Sequence, residues 1–119
     1  MGFTYVNAIV YGQRASRVVE MLVDTGSTYI VLDSKTIGDI ELLGTPYKVD
    51  LTLADGRKIK TRLFLAEVEA GGRRGPAFVA EVETPRPLLG AHALETLGFK
   101  VNPKTGTLEE IAPEGGYLL

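Results

Sequence analysis

The chain has 119 residues, 45% of them hydrophobic and 24% charged, an ordinary globular composition at a length that supports one domain around one core. Its 13 Lys and Arg against 15 Asp and Glu leave a formal net charge of -2, which provides no basic footprint for nucleic acid and no cationic face for a membrane. Cysteine is absent and histidine occurs once, at His92, so disulfides, thiolate nucleophiles and Cys- or His-rich metal centres are excluded, and no cofactor is expected.

The first residues, Met1-Gly2-Phe3-Thr4-Tyr5-Val6, lack a basic segment followed by an apolar stretch and a small-residue cleavage site. Gly2 invites lipidation, but Val6 stands where Ser or Thr is wanted. With no apolar run of membrane-spanning length, a cytoplasmic protein is the expectation.

Short segments rich in Val, Ile, Leu, Tyr and Thr alternate with glycine-containing turns, the pattern of an all-β domain. Thr4 to Tyr11 and Arg17 to Val23 flank Gly12-Gln13-Arg14-Ala15, a hairpin. Asp24-Thr25-Gly26 then closes the apolar run Met21-Leu22-Val23, and Tyr29 to Leu32 opens the next. Lys35 to Leu43 is less regular and reads as a loop with a strand near its end. Lys48 to Leu53 and Arg57 to Leu63 enclose Ala54-Asp55-Gly56, where Asp-Gly is a strong hairpin signal; Val49, Leu51 and Leu53 alternate with Asp50 and Thr52. A further hairpin pairs Thr61 to Ala70 with Ala77 to Glu83, and Arg73-Arg74 reads as its solvated tip. Pro85-Arg86-Pro87 interrupts pairing before Leu88-Leu89-Gly90. Ala91 to Leu97, with Ala93, Leu94 and Leu97 apolar and Gly98 as a stop, is the one short helix expected, and its His92 is assigned no chemistry. Phe99 to Asn102, a turn at Pro103-Lys104-Thr105-Gly106, and Thr107 to Ile111 complete the ordered part. The two halves form a weak repeat, one ending on Asp24-Thr25-Gly26 and the other on Leu88-Leu89-Gly90.

The chemistry concentrates on Asp24. A carboxylate set between two apolar strands is costly unless it protonates or finds donors, and a second carboxylate alongside would let the pair share a proton. Asp-Thr-Gly occurs once, so the chain reads as half of an enzyme whose site needs two copies. The plainer alternative is an Asx-turn residue whose side chain bonds local amides.

Taken together, Leu22-Val23-Asp24-Thr25-Gly26-Ser27, the hairpin at Ala54-Asp55-Gly56 and the element from Leu88 to Gly98 resemble the retroviral-type (retropepsin-like) aspartic proteases, homodimeric relatives of pepsin. The resemblance runs from Asn7 to about Asn102. It implies a closed acid-protease-like β barrel with a hairpin flap and one short C-terminal helix, in a domain of residues 1–102, with 103–119 as a C-terminal extension of it. It implies an aspartic endopeptidase and a homodimer acting on polypeptide, with Asp24 of each chain as the catalytic pair. One carboxylate takes a proton from water while the other donates one to the scissile carbonyl. Thr25 would bond across to the opposite chain, Gly26 would let substrate approach, and Ser27 would donate its hydroxyl to Asp24, from which an acidic pH optimum is expected. Val31, Ala54, Asp55, Gly56 and Leu88 would contact substrate, and Arg86 would stand at a pocket wall and favour acidic or polar side chains.

The chain also departs from that family. An Asp two residues after the motif glycine and an Arg after the second glycine usually pair near the dimer interface; here those positions hold Thr28 and Ala91. The tail ending in Tyr117-Leu118-Leu119 is disordered, part of the interface, or able to occupy a peptide groove. Two rivals to the enzyme reading are a catalytically idle peptide-binding or dimerisation module on the same fold, and an unrelated β-barrel adaptor.

Overall fold

The computed structural model describes residues 3–53 and 55–111; Gly2, Ala54 and the Tyr117-Leu118-Leu119 tail lie outside the described residues. Strand β1 (Tyr5–Tyr11) turns into β2 (Ser16–Asp24), and Ala8, Val10, Val19 and Met21 point from the two into the core. Glycine is required where that turn begins, because a Cβ on Gly12 would lie 2.0 Å from the carbonyl oxygen of Ile40. The close approach lets the Gln13 amide donate to Glu41 O at 2.9 Å, fastening the hairpin tip to the segment after helix α1.

Buried strand β3 (Ile30–Leu32) leads into α1 (Ser34–Ile40), where the sequence reading expects a loop. The correction has a local cause. Asp33 caps the helix by accepting from the Thr36 amide at 3.0 Å, Ile37 and Ile40 are buried on one face, and Glu41 ends it in the left-handed conformation (φ 55°). The Thr36 hydroxyl and amide hold the Asp33 carboxyl below the usual carboxylate range.

Strand β4 (Leu43–Thr52) and strand β5 (Lys58–Ala70) form the hairpin that Asp55-Gly56 signals, with Gly56 at φ 89° donating to Leu53 O at 2.9 Å. β5 is a single strand of 13 residues rather than two. Its turn into β6 (Arg73–Glu81) is only Gly71-Gly72, both with positive φ (59° and 78°), so Arg73 and Arg74 belong to the strand. Arg73 is not a solvated tip. It is 8% exposed, its guanidinium lies 4.9 Å over the Phe99 ring, donates to Leu97 O at 2.9 Å, and pairs with Glu110 at 3.1 Å. Arg74 instead pairs with Glu67 at 2.5 Å and covers the ring of Tyr11.

Strand β7 (Leu88–Gly90) passes directly into helix α2 (Ala91–Leu97), the helix expected, which buries Ala93, Leu94 and Leu97 and stops at Gly98 (φ 77°). Six strands bond in the order β1-β2-β7-β3-β6-β5, and β1 pairs back onto β5 to close a barrel with β4 outside it. Strands β8 (Phe99–Asn102) and β9 (Thr107–Glu110) make a separate two-stranded sheet below α2. The molecule is therefore an all-β barrel with two short helices, as an acid-protease-like fold requires. The two halves interlock through parallel pairs, β2 with β7 and β3 with β6.

Candidate active site

Asp24 is the last residue of β2, and in the parallel β2–β7 pair it stands opposite Gly90. The turn that follows is bound internally: Ser27 N–H donates to Asp24 O at 3.0 Å and Gly26 N–H donates to Asp24 Oδ1 at 2.9 Å. The local amide of an Asx-turn is thus present, but the carboxylate is half-buried at the edge of a cleft rather than sunk in the core.

Gly90 makes the second half of this support. A Cβ there would lie 2.4 Å from Tyr29 O and 2.6 Å from Ser27 O, so the strand passes against the turn only as glycine. The two residues after it bond the same turn: Ala91 N–H donates to Ser27 O at 2.7 Å and His92 N–H to Thr28 O at 3.1 Å. The segments that lack the usual Asp and Arg are therefore joined through backbone. The His92 side chain is exposed.

The cleft at Asp24 has a volume of about 690 Å³. Asp24, Gly26, Ser27, Val31 and Leu88 form its floor, Leu51, Leu53, Asp55 and Arg57 reach it from the β4–β5 hairpin, and Glu83 and Pro85 bound it from the segment after β6. Val31 and Leu88 are cross-strand partners, and Val31 is buried while Leu88 is half-buried at the cleft. Of the sequence-predicted residues, Thr25 faces elsewhere: with Phe3, Ala91, Leu94, Phe99 and Ile111 it lines a second hollow of about 810 Å³. Gly56 sits at the hairpin tip outside the cleft lining, and Ala54 lies outside the described residues.

Two side chains differ from expectation. The Ser27 hydroxyl donates to Tyr29 O at 2.9 Å and not to Asp24, because the turn carries that carbonyl past it. Within one chain, this removes the hydroxyl route to an acidic optimum. Arg86 does not stand at the cleft wall; it bonds the Tyr5 hydroxyl and lies 5.5 Å over that ring. Among the cleft residues that sequence reasoning missed are Asp50, Leu51, Leu53, Arg57 and Glu83. Leu51 and Leu53 carried a signal in the β4 alternation, read as one apolar face; Glu83 carried none.

Electrostatically, the Asp55 carboxylate is held below the usual range by the Arg57 amide at 3.0 Å and then by the Arg57 guanidinium at 2.7 Å. Among the described residues no cluster of three or more His, Asp or Glu is placed to hold a metal ion, and no helix is long and apolar enough to cross a membrane.

A search of curated proteins found no significant match. The family described as "gag-polyprotein putative aspartyl protease" matches residues 10–96, which span the Asp24 turn, both walls of the cleft, and Gly90 with nearly all of α2. That match covers well over half of the chain and agrees with the barrel and with the turn at its centre, and it supports a protease-type function: the chain belongs to the retroviral-type aspartyl protease family.

Proposed function

We propose that two copies of the chain assemble one aspartic endopeptidase site, with Asp24 of each copy meeting at the two-fold axis. The observation that carries this is that a chain with the family's fold holds a single Asp-Thr-Gly, its carboxylate opening on a cleft. One carboxylate takes a proton from a bound water as it attacks the scissile carbonyl, and the other donates a proton to the carbonyl oxygen. No covalent intermediate forms. The water-derived tetrahedral species collapses with proton transfer to the leaving amine. Gly26 leaves space beside the carboxylate for an extended peptide, and the β4–β5 hairpin acts as the flap that closes over it and excludes water. Backbone hydrogen bonds between hairpin and floor hold the peptide extended. Thr25 faces the partner. The hollow it lines includes Phe3, 78% exposed, a surface suited to contact with a second copy.

The deciding experiment compares wild type with Asp24→Asn on an unstructured protein substrate, with and without a statine-type inhibitor, alongside sedimentation equilibrium. Hydrolysis that the inhibitor blocks and the substitution abolishes, in a dimer that stays folded, is the expected result. A monomer at working concentration, or peptide binding with no turnover in wild type, overturns it; the latter would leave an idle binding module.

A further inference from the structure

The cleft carries more negative than positive charge, and its charges are not equally satisfied. Asp55 is neutralised by Arg57 at 2.7 Å, and that pair also occupies the one cation in the described lining of the cleft. Asp50, on β4, has Lys60 at 3.5 Å across the strand pair. Glu83 differs from both. Its Oε1 accepts from the Ser34 amide at 3.1 Å and from the Ser34 hydroxyl, both neutral donors, and among the described residues no Lys or Arg lies within ion-pair distance of it.

Both donors reach the same oxygen. A carboxylate has about four acceptor sites over its two oxygens, so Oε2 keeps its acceptor capacity. Ser34 is fixed at the start of α1, directly after the Asp33 cap, and through it the position of Glu83 is set before anything binds. An oriented carboxylate with a spare oxygen, beside the cleft that holds Asp24, has the chemistry to recognise a cationic side chain.

Resting on the peptidase reading, we infer that Glu83 is a specificity-determining residue and that the preferred substrates are extended peptides with a Lys or Arg side chain reaching the Glu83 wall. A two-fold site would present two such carboxylates, one on either side of the scissile bond, so the preference would be for a basic residue on each side at matching distances. Arg57 does not cancel this attraction, because its guanidinium is held in the fork with Asp55.

The test separates recognition from hydrolysis by using Asp24→Asn protein, which cannot turn substrate over under that reading. Binding of fluorescent extended peptides is measured by anisotropy, each peptide existing in a Lys form and a Gln form at the position under test. The Lys form should bind about fivefold to tenfold more tightly, the ratio should shrink as salt is raised, and it should fall to near one when Glu83→Gln is added. Glu20→Gln, which removes an exposed carboxylate outside the cleft lining, should leave the ratio in place. Equal binding of the two forms, no binding of either, or a ratio that survives Glu83→Gln overturns the inference. Wild-type protein that shows the Glu83-dependent ratio but cleaves neither peptide would instead overturn the peptidase reading and leave Glu83 as the determinant of a binding groove.

Discussion

Asp24 and Gly90 face each other across the parallel β2–β7 pair, and the absence of a side chain on Gly90 is what lets the carbonyls of Ser27 and Tyr29 pass beside it. Gly90→Ala would place a methyl carbon 2.4 Å from Tyr29 O. Backbone must then move, and overpacking of this kind costs about 1–3 kcal/mol. Urea unfolding should show that loss, and hydrolysis should fall further than the folded fraction does, because the displaced segment is the turn that follows Asp24. Unchanged stability would contradict the close approach.

Ser27→Ala tests a different strand of the same turn. With the hydroxyl donating to Tyr29 O, its removal should cost about 1 kcal/mol, the usual value of one such bond. Denaturant midpoints measure it.

Helix α1 should be sensitive to acid. Asp33 has its carboxyl lowered by Thr36, and Asp39 has its own lowered by Lys35 and then Arg17, so both groups lend stability above the unfolded carboxylate value of about 3.9. That contribution disappears as pH falls through the lower, folded-state values. Asn is an equally good cap without a titrating proton, so Asp33→Asn should flatten the loss of stability below about pH 4 while leaving neutral-pH stability within a few tenths of a kcal/mol. Asp33→Ala should cost about 1 kcal/mol at neutral pH. Thermal melts across pH 2 to 7, a range chosen to bracket about 3.9, distinguish the two.

Gly38→Ala should stabilise the protein. A Cβ at Gly38 meets nothing within 4 Å, and Ala exceeds Gly inside a helix by about 0.5–1 kcal/mol. A higher unfolding midpoint with unchanged hydrolysis is the expected pair of results.

Arg73→Met keeps the apolar stem but removes the guanidinium from Phe99, from Leu97 O and from Glu110. A loss of about 2–4 kcal/mol is expected, since a buried carbonyl loses a charged donor. Glu110→Gln, at an exposed partner, should cost under about 1 kcal/mol. Hydrogen exchange in β8 and β9 should accelerate in the first variant and not in the second.

What the sequence made legible was whatever rests on local punctuation. Gly56 and Gly98 turn or end an element through their left-handed backbone, and Gly12-Gln13-Arg14-Ala15 signals its turn by composition, so hairpins and α2 could be placed from neighbours alone. Asp24-Thr25-Gly26 and Leu88-Leu89-Gly90 could be related because each brings an apolar run to an end on a glycine. Helix α1 is hidden in the sequence: seven residues hold too little periodicity and Gly38 lowers helix propensity, so Lys35 to Leu43 reads as a loop with a strand near its end. Arg73 was misread because its burial depends on Leu97 and Phe99, which only the tertiary fold brings to it. The same is true of Glu83, whose partner Ser34 lies on another element far along the chain.

Val23 and Thr25 line one hollow while Asp24, between them, lines the other. The backbone of residues 23–25 therefore separates the two hollows, and under the proposed reading the chemistry would stand on one side of it and the contact with a second copy on the other. Under that reading, a substitution that shifts this stretch of backbone would disturb assembly and chemistry together.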